Sequence, residues 1–119
     1  MGSTLDINVT EDREVSILRL NGPVDANTQK DLVGKAEELI GNGADNIVFD
    51  MTEVSFLGSA GLRALNVIAD KFGGEDLSAK FAHIKLLNPS DDVRRILKTL
   101  GFDYYIGVYD DLDQAINSF

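Results

Sequence analysis

Near the middle of the chain, Ile47-Val48-Phe49 is a continuous apolar run that ends in Asp50. A strand covered on both faces reads this way, lacking the polar alternation of a half-exposed one, and such strands belong to sheets that are at least partly parallel and carry helices. The run therefore calls for an α/β arrangement, and the flanking sequence supplies one. Upstream, Leu5, Ile7 and Val9 alternate with polar residues, and after Glu11-Asp12-Arg13-Glu14 a second β-like run extends from Val15 to Leu20. The two read as a hairpin. Asn21-Gly22-Pro23 is expected to break the second strand, and Asn27 or Thr28 to cap a helix whose Leu32, Val33, Ala36, Leu39 and Ile40 form one stripe ending at Gly41-Asn42-Gly43.

Downstream of the central run, Leu62, Leu65, Ala69 and Phe72 recur at helical spacing from Ser59 to a stop at Gly73-Gly74. Residues 80–87 read as a strand that includes His83. Val93, Ile96, Leu97 and Leu100 define a third helix stopped by Gly101, a last strand lies around Tyr105 to Val108, and Leu112, Ala115, Ile116 and Phe119 mark a final helix. Pro23 and Pro89 both fall at expected element boundaries. The expected order is β-β-α-β-α-β-α-β-α, in which an opening hairpin precedes crossovers that require parallel strands. The fold class is thus α/β, a mixed sheet with packed helices in a single domain over residues 1–119, with residues 1–3 expected to be disordered or foreign to the natural chain.

The 119 residues suit one hydrophobic core that needs no disulfide or metal. The chain has no cysteine and one histidine, which excludes thiol catalysis, thiolate zinc, iron–sulfur clusters and multi-histidine metal sites. Eleven Lys and Arg against twenty Asp and Glu give a formal charge of −9, which repels phosphate backbones and anionic membranes, so neither nucleic acid nor membrane is an expected partner. No apolar run approaches the ~18 residues of a membrane span, and Met1-Gly2-Ser3-Thr4 lacks the basic and apolar segments of an export signal. A cytoplasmic location is the expectation.

The most informative stretch is Asp50-Met51-Thr52-Glu53-Val54-Ser55-Phe56-Leu57-Gly58-Ser59-Ala60-Gly61-Leu62, a strand that runs through a loop into a helix opening on small residues. It resembles the signature of the STAS domain family, specifically of anti-sigma factor antagonists, in which Phe and an aliphatic residue precede Asp-Ser-Ser/Ala-Gly-Leu. Leu20-Asn21-Gly22-Pro23-Val24-Asp25 is similar to the family's Leu-x-Gly-x-Leu/Val-Asp. Leu87-Asn88-Pro89-Ser90, Val93-x-x-Ile96-Leu97 and Leu100-Gly101-Phe102 resemble its C-terminal pattern, so the resemblance spans nearly the whole chain.

The resemblance implies a partner-switching regulator with no catalysis and no cofactor of its own. Unphosphorylated, it would bind an anti-sigma factor that is also a serine kinase; phosphorylation of Ser59 by that kinase would release it, and a protein phosphatase would reset it. ATP and magnesium would belong to the kinase. The implied contact surface comprises Asp25, Thr52, Glu53, Ser55, Phe56, Leu57, Gly58, Ser59, Ala60 and Gly61. Gly58 stands where the best-known antagonists carry Asp, and Ala60 where some carry a second serine. Gly58 favours the alternative that the chain is a STAS scaffold or sensor binding a protein or small ligand without phosphorylation.

The residues themselves leave simpler roles open at the same positions. Serine is a favoured helix cap, worth about 1 kcal/mol. Asp25 suits a turn before the first helix equally well, Thr52 and Ser55 read as loop hydroxyls, and Gly61 reads as a close-packing position. Asp50 at the end of a central strand raises the reading of a receiver-domain phosphoacceptor, but the opening hairpin and the absence of a paired acid speak against it. Asp91-Asp92 and Asp110-Asp111-Asp113 lack the glycine and terminal Glu of an EF-hand loop and fit helix starts. His83 has no serine elbow nearby and reads as structural.

Overall fold

The computed structural model describes residues 4–119, so the expectation for residues 1–3 lies outside the described residues. Five strands form one sheet in the order β1-β2-β3-β4-β5. β1 (Asp6–Asp12) and β2 (Val15–Val24) make the expected antiparallel hairpin. β3 (Ile47–Leu57), β4 (Ile84–Leu87) and β5 (Gly107–Tyr109) each join in parallel to the strand before. Between them run α1 (Gln29–Gly41), α2 (Ser59–Phe72), the short α3 (Leu77–Phe81) and α4 (Asp91–Thr99), with α5 (Leu112–Asn117) closing the chain.

Each parallel connection steps one strand onward in the same direction, and right-handed crossovers then place every connecting helix on the same face. Leu18, Leu20, Phe49, Met51 and Leu86 from the sheet meet Leu32, Ala36, Leu65, Ile68 and Leu97 from α1, α2 and α4 in the main core. The alternate residues Val15, Ile17, Val48 and Leu87 point to the other face, where Ala115 and Ile116 of α5 cover them. This explains the unbroken apolar run: Ile47, Val48 and Phe49 are all buried because helices lie on both sides of β3.

Further along that second face, cover gives way to an ion pair. Asp50 is buried, accepts from the backbone N–H and hydroxyl of Thr52 at 3.0 and 2.6 Å, and pairs with Arg19 Nε at 3.2 Å. Its carboxylate is thereby committed to the strand end, and among the described residues no cluster of three or more His, Asp or Glu could hold a metal. Among the same residues no helix is long and apolar enough to cross a membrane.

Several boundaries differ from expectation. Asn21-Gly22-Pro23 does not end β2; it stays paired with β3, and Pro23 sits inside the strand opposite Phe56. Likewise the expected loop from Thr52 to Gly58 is, as far as Leu57, the second half of β3. Register shifts between Arg19 and Asn21 and between Gly22 and Pro23 absorb two extra β3 residues, so polar and glycine residues are accommodated as bulges. Gly22, at φ 125°, has the carbonyl oxygen of Thr4 where a Cβ would stand, 2.5 Å away, which explains its glycine.

Residues 80–83 belong not to a strand but to α3 and the turn after it, because Asp76 accepts from Ala79 N–H at 2.9 Å and starts a helical turn. His83 therefore precedes β4, stacked on Phe72 at 5.0 Å with Nδ1 2.9 Å from the Asp45 carbonyl. Leu100 lies past the end of α4 and is 58% exposed rather than in the core. A 3₁₀ turn over Phe102–Tyr104 follows Gly101, whose φ is 77°, and delays β5 to Gly107.

The hairpin turn is tied to α5 by Arg13, which meets Asp113 and Asn117; Asp12 first, then Asp113, hold its guanidinium above the usual range. Arg13 and Glu14 have φ of 51° and 67°, a mirror-type turn that favours glycine at the second position. Glu14→Gly is expected to raise unfolding stability by about 0.5–1 kcal/mol in urea denaturation, because it removes left-handed strain without touching the Arg13 bridge.

Candidate functional site

The site lies where β2 and β3 end side by side, the C-terminal edge at which open α/β sheets commonly bind ligands. Val24 pairs with Leu57, and Gly58 N–H donates to the Val24 carbonyl at 3.1 Å, so the chain leaves both strands at one point. From β2 it enters Asp25, and from β3 it enters Ser59.

At Asp25 the carboxylate accepts from the backbone N–H groups of Asn27 and Thr28 at 2.9 and 3.1 Å. Thr28 is fully buried, its hydroxyl accepting from Asp25 N–H at 2.9 Å and donating to the Pro23 carbonyl at 2.8 Å. Neither Asn27 nor Thr28 caps α1 with its side chain among the described residues; Asp25 organises the turn instead. The turn reading of Asp25 is thus present in the structure, with the side chain still half-exposed beside the site.

At the second exit, Gly58 occupies the cap position of α2 with φ −95° and ψ −176°, extended backbone that any residue adopts. Its lack of a side chain matters differently: a Cβ there would lie 2.8 Å from Cε2 of Phe56. The Phe56 ring, 53% exposed, therefore covers the space that a larger residue at position 58 would enter. Ser59 is the first residue of α2, and its side chain is exposed. Among the described residues no side-chain hydrogen bond caps this helix, so Ser59 is not the capping serine that its residue type suggested. Among the described residues its hydroxyl has no hydrogen-bond partner.

The remaining residues of the expected surface divide in two. Thr52, Glu53, Ser55 and Phe56 are exposed along the bulged end of β3, the strand that leads to Ser59. Leu57, Ala60 and Gly61 are buried and shape the surface from beneath. Gly61 is the tightest of these: a Cβ would meet Leu57 Cδ1 at 2.5 Å and both Val24 Cγ1 and the Val24 carbonyl oxygen at 2.9 Å. Its role is the close approach of α2 to β2.

Sequence reasoning missed the far wall. Ser59, Leu62, Arg63 and Asn66 of α2 share a shallow concavity with Leu100 and Phe102. Asn66, Leu100 and Phe102 continue into an adjoining apolar groove with Phe81 and Tyr105. The offsets from Ser59 to Arg63 to Asn66 are four and three, a polar stripe legible in the sequence. By contrast, Leu100 has helical spacing to Val93 and Leu97, which disguised it as core.

The family model described as the STAS domain matches residues 6–115. The anti-sigma-F factor antagonist RsfB of Mycobacterium tuberculosis is 26% identical over 113 residues, covering 95% of this chain and 88% of that protein. The crystal structure of an anti-sigma factor antagonist from Mycobacterium paratuberculosis superimposes with a TM-score of 0.81 at 24% identity, over 96% of this chain and 92% of that one. The Bacillus cell fate determinant SpoIIAA in its phosphorylated form gives 0.67 at 22% identity, over 94% and 97%.

Two substitutions separate fold from surface in this site. Gly61→Val should destabilise the chain by about 1–3 kcal/mol through overpacking against the Val24 backbone. Ser59→Ala should change urea-denaturation stability by less than ~0.5 kcal/mol, since no cap is lost; a loss near the ~1 kcal/mol of a capping serine would contradict the uncommitted hydroxyl.

Proposed function

We propose that this chain, which belongs to the STAS domain family, is an anti-sigma factor antagonist that works by partner switching. Unphosphorylated, it binds an anti-sigma factor that is a serine kinase, through the surface around Asp25, Thr52 to Gly58 and the start of α2. The kinase phosphorylates Ser59 and the complex dissociates; a phosphatase restores the hydroxyl. The observation that carries this reading is the Ser59 side chain, exposed on the first turn of α2 with no cap hydrogen bond to make, at the edge where β2 and β3 end together.

In the transfer, Ser59 Oγ forms a bond to the γ-phosphorus of the kinase's ATP. The bond from that phosphorus to the oxygen bridging to the β-phosphate breaks, ADP leaves, and the hydroxyl proton passes to a base of the kinase. The antagonist contributes the acceptor and its presentation. Afterwards Ser59 carries roughly −1.5 to −2 charges on a chain of net charge −9. A partner fitted to a neutral hydroxyl then meets an anion that it must desolvate, and each ~1.4 kcal/mol of that penalty is tenfold in affinity. The exposed Phe56, Leu100 and Tyr105 side chains supply apolar area for the partner.

One observation favours a second reading, a STAS module that binds a protein or small ligand without phosphorylation. Gly58 leaves Phe56 lying over the position where the best-known antagonists carry an acid, which alters the surface a kinase would recognise.

Intact mass after incubation with the cognate kinase and ATP decides between them. A single phosphoryl increment on the native chain and none on Ser59→Ala is expected. An increment that persists in Ser59→Ala moves the site elsewhere, and none on either chain supports the second reading. In a titration against the kinase, the phosphorylated chain should bind at least ~10-fold more weakly than the unmodified one; equal affinity would remove electrostatic release as the mechanism.

A further inference from the structure

Resting on the reading of Ser59 as a phosphorylation site, we propose that Arg63 is the internal partner of the phosphate. Its guanidinium pairs with phosphorylated Ser59 on the same helix and is thereby withdrawn from the surface that meets the kinase. Phosphorylation then changes two charges on that surface, adding an anion and occupying a cation.

Three observations support this. First, Ser59 and Arg63 stand four residues apart on α2, both exposed, and line the same concavity. That spacing brings Cβ atoms to about 5–6 Å, and an anion on the N-terminal side of a cation is the favourable sense of such a pair. Second, Arg63 is uncommitted. Arg13, Arg19, Arg94 and Arg95 each have a carboxylate within 3.3 Å, whereas among the described residues Arg63 has no ion-pair partner, in a chain with almost twice as many acids as Lys and Arg. Third, α2 offers no rival: its other cation, Lys71, lies at the far end and pairs with Glu37 at 3.2 Å.

The chemistry is matched as well. A guanidinium presents paired N–H donors that fit two phosphate oxygens, and charge-assisted bonds of this kind are roughly twice as strong as neutral ones. Before phosphorylation the same side chain is exposed, available to a carboxylate of the partner. The covalent bond at Ser59 fixes where the phosphate sits, so Arg63 needs only a rotamer change to reach it. No backbone movement is required.

The test is a phosphorus-31 pH titration of the full chain carrying phosphoserine at position 59, installed by genetic encoding so that no kinase is needed. Arg63→Gln and Arg63→Met are measured beside it; the residue is exposed, and either variant suffices. The second ionisation of the phosphate is expected about 0.15–0.4 pH units lower with Arg63 than in either variant, with the difference shrinking at 1 M salt. Coincident titration curves overturn the proposal. The two readings fail separately: a kinase that leaves Ser59 unmodified removes the phosphorylation reading while the titration result stands, and coincident curves remove Arg63 while phosphorylation stands.

Discussion

The parallel pairing of β2 with β3, held to the last residue of each strand, is the constraint on which the rest of the molecule depends. Strand pairing that stopped at Arg19 and Asp50 would leave Asn21–Val24 and Thr52–Leu57 as independent loops. Instead the two segments stay joined across two register shifts, and the Gly58 N–H to Val24 carbonyl bond closes the pair. Asp25 and Ser59 come from positions 34 residues apart in sequence and leave the sheet from one point. Gly61 then lets α2 lie against the Val24 backbone, at a distance that any Cβ would prevent. Helix, strand end and turn are thus fixed relative to one another by backbone contacts, which leaves the side chains above them free to serve a surface.

How far the sequence disclosed this follows from which interactions are local. Ile47-Val48-Phe49 announced a strand buried on both faces because its burial is written in its own residues, and the helix from Ser59 to Phe72 was legible from spacing and from the glycines beyond it. Asn21-Gly22-Pro23 and Thr52 to Leu57 were misread because each segment alone looks like a turn or loop. Their strand character exists only in the pairing between them, a contact that local propensity does not encode. Leu100 misled in the opposite direction: its spacing fits a helix stripe, but the helix ends one residue earlier and the side chain emerges beside α2. The candidate site was legible as a motif and a resemblance, whereas the concavity beside it, completed by Leu100 and Phe102 from the other end of the chain, was not.

Gly58 and Phe56 illustrate how a departure from a family pattern has a physical counterpart. An acid at position 58 would add charge at the cap of α2, where the helix dipole favours it. Here the same volume is adjacent to an aromatic ring that is more than half exposed. The edge therefore carries apolar area where an acid would carry charge. The ring can swing away, because the close contact is with the far end of a rotatable side chain rather than with backbone. Position 58 is consequently adaptable in a way that position 61, closed in by the Val24 carbonyl, is not.

The uncommitted state of Ser59 bears on what kind of switch such a surface can be. A serine that capped its helix would couple modification to folding, since a phosphate would have to replace a bond worth about 1 kcal/mol to the domain. The Ser59 hydroxyl caps nothing, and the core beneath it is assembled from Val24, Leu57, Leu62 and Leu65 without its help. A charge added there acts mainly on the free energy of any complex built on that surface, since the fold loses no cap and gains only the pairing open to an anion at a helix start. A ligand or modification shifts an equilibrium only by its differential effect on the two states. When the folded chain is the same in both, the whole of that effect is expressed in binding. A hydroxyl that holds no cap, set where the sheet ends, thus lets a modification act on binding without first breaking a bond of the fold.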